Sequence, residues 1–275
     1  SGQVVNGNIL ITNYQAGALN DINIQSALRA TGKIKVVNEE QDVNVVSGAM
    51  VDATEVELYA VHDVNNTASI HSAEQVYLIA VNDINNAASI TSGKNLILWS
   101  MVGDIKNEGT IQAVERIDMD ATKGTVYNLA GITSTSGVVE VLAGESIVNL
   151  GDNESDAITA KGEVVLDAGE VLINTAKIIS TDADVSIQAN AGVMNIVARD
   201  YEGTGTTNQN GSIKAKGNVV IKTFDENIKD VSSVVYNSAD IESDGNVIID
   251  AYGSLYNDGN IKAVQEVHLD SWKAD

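Results

Sequence analysis

The sequence predicts an all-β chain wound into a right-handed parallel β-helix. About twelve coils of about 21 residues each fill one domain, residues 1–275. Three observations predict it. Asn recurs at 23, 44, 65, 86, 107, 128 and 149, each 21 residues after the last. Between these positions lie alternating apolar triplets that end on a small residue: Val56/Leu58/Ala60, Val76/Leu78/Ala80, Leu96/Leu98/Ser100, Ile117/Met119/Ala121 and Val139/Val141/Ala143. The stretch Gly103-Asp-Ile-Lys-Asn-Glu-Gly-Thr-Ile-Gln-Ala, with Ile117, Met119 and Ala121 after it, returns nearly unchanged over 254–271. A period of two nested in a period of 21 means one strand-bearing coil per repeat, with one face of each strand buried.

Taken in order, each coil carries a turn with its Asn, an apolar residue four or five positions on (Ile70, Ile90, Ile111, Ile132), and then a triplet. Coils stacked about 4.8 Å apart place the inward Val, Leu and Ile in columns, and Asn at a repeated turn can stack its amides into a ladder. The small residue ending each triplet suits a corner. The chain has no Pro, as expected where nearly every backbone N–H is needed by the next coil. Residues 1–20 are repeat-like (Ile9, Ile11, Asn13) but off this register. Asn149 is followed by Asn174, 25 residues on, with Gly151–Asp156 as the added stretch. Asn195 to Asn237 spans 42 residues yet holds one set of core residues, Ile213, Ala215, Val219, Ile221 and Thr223. The sequence therefore predicts insertions near 150–157, 197–210 and 224–235. The first two leave the same corner of the coil and the third leaves a different one.

Composition excludes several classes. Asp and Glu number 38 against 16 Lys and Arg, a net charge of −22, which repels nucleic acid and anionic membranes. No run of 18 apolar residues is present to insert in a membrane. Without Cys there is neither a disulfide framework nor a Cys/His zinc site. No basic, apolar leader opens the chain, and Ser1-Gly2 reads as the remnant of excision from a longer protein.

The pattern Gly-Asp-Ile-x-Asn-x-Gly-x-Ile-x-Ala…Ile-x-Met-x-Ala at 103–121 resembles the central repeats of the filamentous haemagglutinin family. These are long exoproteins of two-partner secretion in Gram-negative bacteria, and they include adhesins and contact-dependent growth inhibition effectors. The resemblance implies a β-helical shaft, secreted or held at the bacterial cell surface as part of a larger exoprotein. It also implies an outer-membrane two-partner secretion transporter for the parent protein, and adhesion or toxin delivery as its task. Neither the family's N-terminal secretion domain nor a C-terminal toxin domain is visible, and no binding residue carries over.

Alternation gives the outward columns. One runs Tyr59, Ile79, Trp99, Asp120, and its neighbour runs Glu57, Tyr77, Ile97, Asp118. Tyr59, Tyr77, Ile79, Ile97 and Trp99 should form an apolar patch, either covered by another segment or offered to a host or bacterial surface glycan or protein. Within the 197–210 insertion, Asp200, Tyr201 and Asn208 are candidate contact residues, because loops on a rigid scaffold are where binding usually sits. Asp21, Asp42, Asp63, Asp83 and Asp104 form an acidic column that either accepts turn N–H groups or gathers a cation. The former is the expectation, and no metal or cofactor is predicted. Asp152–Asp156 with Glu163 imitates a calcium loop, but Ala157 stands where that loop needs Gly. Many β-helices are carbohydrate-active enzymes, yet the outward acids Asp118, Asp120, Glu140, Asp167, Asp250 and Asp270 are spread along the chain, and His62, His71 and His268 are scattered. The expectation is a non-enzymatic shaft, with a glycan- or receptor-binding module as the alternative and an enzyme third.

Overall fold

The structure, a computed structural model, describes residues 3–14, 20–151, 153–197, 211–223 and 233–272. It is a parallel β-solenoid of about eleven turns. Two sheets wrap one core. The ladder sheet stacks eleven short strands, from Ile22–Ile24 to Ser254–Asn257. The broad sheet has 22 strands in two stacks. One stack is short, as in Ile90–Ser92 and Ile111–Ala113, and the other is longer, as in Asn95–Ser100, Arg116–Ala121 and Val138–Ala143. The stacks count as one sheet because Met50–Ala60 and Ser69–Ala80 run through both.

The predicted triplets are the core. Val76, Leu96 and Ile117 pair in register, as do Leu78, Leu98 and Met119, and all are buried to within 1%. Ala80, Ser100 and Ala121 close the corner beside them. Ser100 is buried, and its hydroxyl donates to the Asn82 carbonyl, so a polar residue fits there. Coils approach closely at another corner, where a Cβ on Gly137 would overlap the Glu115 carbonyl oxygen, so only Gly fits.

The asparagine ladder differs from the expectation. The spacing of 21 predicts one ladder through 23, 44, 65 and 86, but there are two ladders. The coil from Val64 to Ile84 is 20 residues long, so Asn65 stacks on Asn85, and Asn66 stacks on Asn86. An outer ladder joins Asn23, Asn44, Asn65 and Asn85 through amide bonds of 3.1, 2.9 and 2.9 Å. An inner, largely buried ladder runs Asn66, Asn86, Asn107, Asn128, Asn149, Asn174, Asn195, Asn237 and Asn257, with every link between 2.7 and 2.8 Å.

The long interval is one coil, as predicted: Asn195 pairs with Asn237 and Ile187 with Ile221. The third insertion ends earlier than predicted, because the strand Val234–Asn237 already includes residues assigned to it. Residues 198–210 and 224–232 lie outside the described residues. The off-register start is a 25-residue coil, with Ile9 over Ile34, Ile11 over Val36 and Asn13 over Asn38.

Candidate functional site

The longer strands of the broad sheet bring the predicted patch together. Tyr59, Ile79 and Trp99 stand in one file and Tyr77 and Ile97 in the next, each one coil from its neighbour. Mutual packing leaves four of them half-buried, while Trp99 is 39% exposed. Charge clusters bracket the patch. On the N-terminal side Lys33 bridges Glu55 and Glu57 at 2.7 and 2.5 Å, and Lys35 joins Glu57 at 2.5 Å. On the C-terminal side the two files continue into Asp118 and Asp120, then Glu140 and Leu142.

That second junction is a groove of about 270 Å³, lined by Ile97, Trp99, Arg116, Asp120, Glu140 and Leu142 among others. The strand Arg116–Ala121 turns Arg116, Asp118 and Asp120 outward by alternation, with Ile117 and Met119 buried beneath. Arg116 Nε donates to both oxygens of Asp118, at 2.6 and 2.7 Å, and Nη2 donates to Glu140 on the next coil. The Asp118 carboxylate is the main reason the guanidinium is held even more firmly charged than usual. Trp99 Nε1 donates to Thr122 Oγ1 at 3.0 Å, and that hydroxyl donates to Asp120 at 3.1 Å. The indole edge is thus satisfied and its ring held in place. The sequence shows the patch but not this groove, because pairing Arg116 with Glu140 needs the coil-to-coil offset. The alternation Arg116-x-Asp118-x-Asp120 was the available signal.

The acidic column takes the expected form. Asp42, Asp63, Asp83 and Asp104 each accept the backbone N–H of the residue one coil on, namely Asp63, Asp83, Asp104 and Thr125, at 2.8 to 3.1 Å. The stacking has a cost: burial and then the Asp42 and Asp83 charges push the Asp63 carboxyl above its ordinary range, against the Asp83 N–H bond. Near the C-terminal end, Asp250, His268 and Asp270 bring potential ligand atoms within 4.8 Å of one another. There His268 already bonds Asp270 at 2.7 Å, which raises the imidazole pKa, and Lys222 stands 3.8 Å from Asp250.

Among the described residues of the 150–157 insertion, Glu154–Asp156 form a single 3-10 turn, in which Asp156 accepts the Asn153 N–H at 2.8 Å and Lys177 pairs with Glu154 at 2.7 Å. Asp200, Tyr201 and Asn208 lie outside the described residues. A further surface went unpredicted. The residue before each inner ladder Asn points outward, so Tyr127, Val148, Ile173, Met194, Tyr236 and Tyr256 form an apolar stripe along the ladder sheet. Its signal was the dipeptide itself, from Tyr127-Asn128 to Tyr256-Asn257.

No protein-family model, curated protein or solved structure matches the chain.

Proposed function

We propose that the chain is a shaft segment of a secreted bacterial surface exoprotein, which holds other modules away from the cell and makes no catalytic contribution. The observation that supports this reading is the unbroken inner ladder. Nine amides, from Asn66 to Asn257, are joined by eight hydrogen bonds of one polarity, each running from Nδ2 to Oδ1 of the C-terminal neighbour. Continuous coil-to-coil pairing stiffens a rod, and about eleven coils at strand spacing give a length on the order of 50 Å. The repeat pattern at 103–121 favours an exoprotein of the filamentous haemagglutinin kind, exported through an outer-membrane two-partner transporter.

A shaft can lose a whole coil and keep its shape. Deleting 105–125, one ladder-to-ladder unit, should leave a folded rod shorter by about 5 Å in small-angle scattering. A deletion that unfolds the chain or leaves its length unchanged would sink the shaft reading. The surface assignment is tested separately, by protease shaving of intact producing cells: protection of the chain inside the cell would overturn it. The Trp99 groove favours a second reading, in which the shaft also grips a glycan or receptor.

A further inference from the structure

The groove beside Trp99 has a ligand chemistry of its own. The indole N–H is already bonded to Thr122, so the 39% exposed side chain offers a ligand only its ring. An aromatic face held in place is a platform for the C–H face of a sugar ring. Next to it the carboxylates are partly used. Both oxygens of Asp118 hold Arg116, as does Oε2 of Glu140, and Oδ1 of Asp120 accepts from Thr122. Asp120 Oδ2 and Glu140 Oε1 have no protein donor among the described residues. They stand on successive coils as diagonal neighbours, since Glu140 pairs with Asp118 and Asp120 with Leu142, so they flank the groove about 7–8 Å apart.

The surrounding charge narrows the choice. Asp118, Asp120 and Glu140 against Arg116 leave the groove with two net negative charges, on a chain whose total is −22. An acidic sugar or sulfated glycan is repelled here, and a cationic one is drawn in. A lysine side chain also carries positive charge, but it brings its donors to a single point. A pyranose with an amine and hydroxyls presents donors around a ring, which suits acceptors on two coils beside a flat aromatic wall.

We propose that this groove is a carbohydrate subsite for an amine-bearing pyranose, a glucosamine residue of a surface polysaccharide. Trp99 stacks on the ring, and Asp120 and Glu140 accept from its ammonium and hydroxyl groups. The proposal gives the contact-surface reading a ligand class, and it stands whether or not the chain is a shaft.

The test uses the whole chain with Trp272→Phe, which leaves Trp99 as the sole indole. A glucosamine trimer should produce a saturable change in indole fluorescence that weakens with added salt. By calorimetry the N-acetylglucosamine trimer should bind at least about fivefold more weakly, and a galacturonate trimer should not bind. Trp99→Ala should weaken the glucosamine trimer about tenfold with the circular dichroism unchanged, since the side chain sits on the outer face. Asp120→Asn with Glu140→Gln should erase the preference for the amine over the N-acetyl sugar. The proposal is overturned if the glucosamine trimer does not bind, if Trp99→Ala leaves its affinity intact, or if the galacturonate trimer binds best. Trilysine binding as tightly through the same residues would also overturn it, and would assign the groove to a basic protein segment.

Discussion

The ladder sheet is built in two ways. In coils 22–45 the strand reads apolar, Asn, apolar: Val43 and Val45 face the core, and Asn23 and Asn44 pair on the outside. From Ile105 onward the order is reversed at the last two positions. Asn107, Asn128 and Asn149 face the core, and the residue before each faces out. Coils 64–66 and 84–86 carry both ladders, through Asn65-Asn66 and Asn85-Asn86, and hand one over to the other. The polarity changes too. Outer amides donate toward the N-terminus and inner ones toward the C-terminus. An outer amide that loses its neighbour can turn to water, whereas an inner one cannot. The inner amides are accordingly bonded on several sides: Asn174 Nδ2 also donates to the Ala176 carbonyl at 2.9 Å, and Asn66 Oδ1 also accepts the Ala68 N–H at 3.3 Å.

The largest effect expected from this contrast is at Asn128. Asn128→Ala strands the Asn107 donor and the Asn149 acceptor in the core and should cost about 2–6 kcal/mol, from 1–3 per orphaned group. Asn44→Ala on the outer ladder should cost about 1 kcal/mol or less. Urea midpoints of the two variants check this. Equal losses would mean that the inner ladder is not special.

The handover predicts a difference between two buried valines of one strand. Val45 stacks directly under Asn66, the first inner rung, whereas Val43 stacks under Val64. In Val45→Asn the new amide can donate to Asn66 and extend the ladder by a rung. In Val43→Asn it meets only apolar neighbours. The second substitution should cost about 3 kcal/mol and the first roughly 1–2 kcal/mol less. The reverse order in thermal melts would break the explanation of why the ladder starts at Asn66.

These two ladders mark the limit of what the sequence shows. Apolar alternation fixed the core, since Leu78, Leu98 and Met119 can be buried only on the side where they are found. The Asn spacing misled because one coil is 20 residues long: the step from 65 to 86 keeps the count of 21 while crossing from the outer file to the inner. Aligning Val64 with Ile84 would have given the register, since strand partners match in burial before they match in identity. The groove needed still more. Glu140 lies 24 residues beyond Arg116, so no fixed period brings them together.

The two halves also differ in what the outer position does. Where the inner ladder is present, that position need not be Asn, and Val148 and Ile173 occupy it. Coils with Asn on both sides already exist at 65–66 and 85–86. Val148→Asn with Ile173→Asn should therefore fold and cost about 1 kcal/mol or less, the range of strand propensity. A collapse of the melting transition would show that the apolar stripe contributes to the fold.

The smallest effect is expected in the acidic file that accompanies the outer ladder. Asp63 accepts the Asp83 N–H between two like charges. At another corner of the coil, the Asp184 carboxylate accepts the Asn218 N–H, and the Asn218 amide accepts the Asn246 N–H at 2.9 Å, so an amide can hold this bond. Asp63→Asn keeps the acceptor and removes the charge. The folded chain holds the Asp63 proton to higher pH than the unfolded chain does. Its advantage is fully present below the ordinary carboxylate pKa and is lost as pH rises through the raised folded value. The variant should therefore match the parent in acid and exceed it at neutral pH, by a few tenths of a kcal/mol because the group is only partly buried and still screened by water. Paired melts at the two pH values read the difference. A variant less stable at neutral pH would mean that the full negative charge is needed to hold the N–H, and that carboxylate and amide corners are not interchangeable.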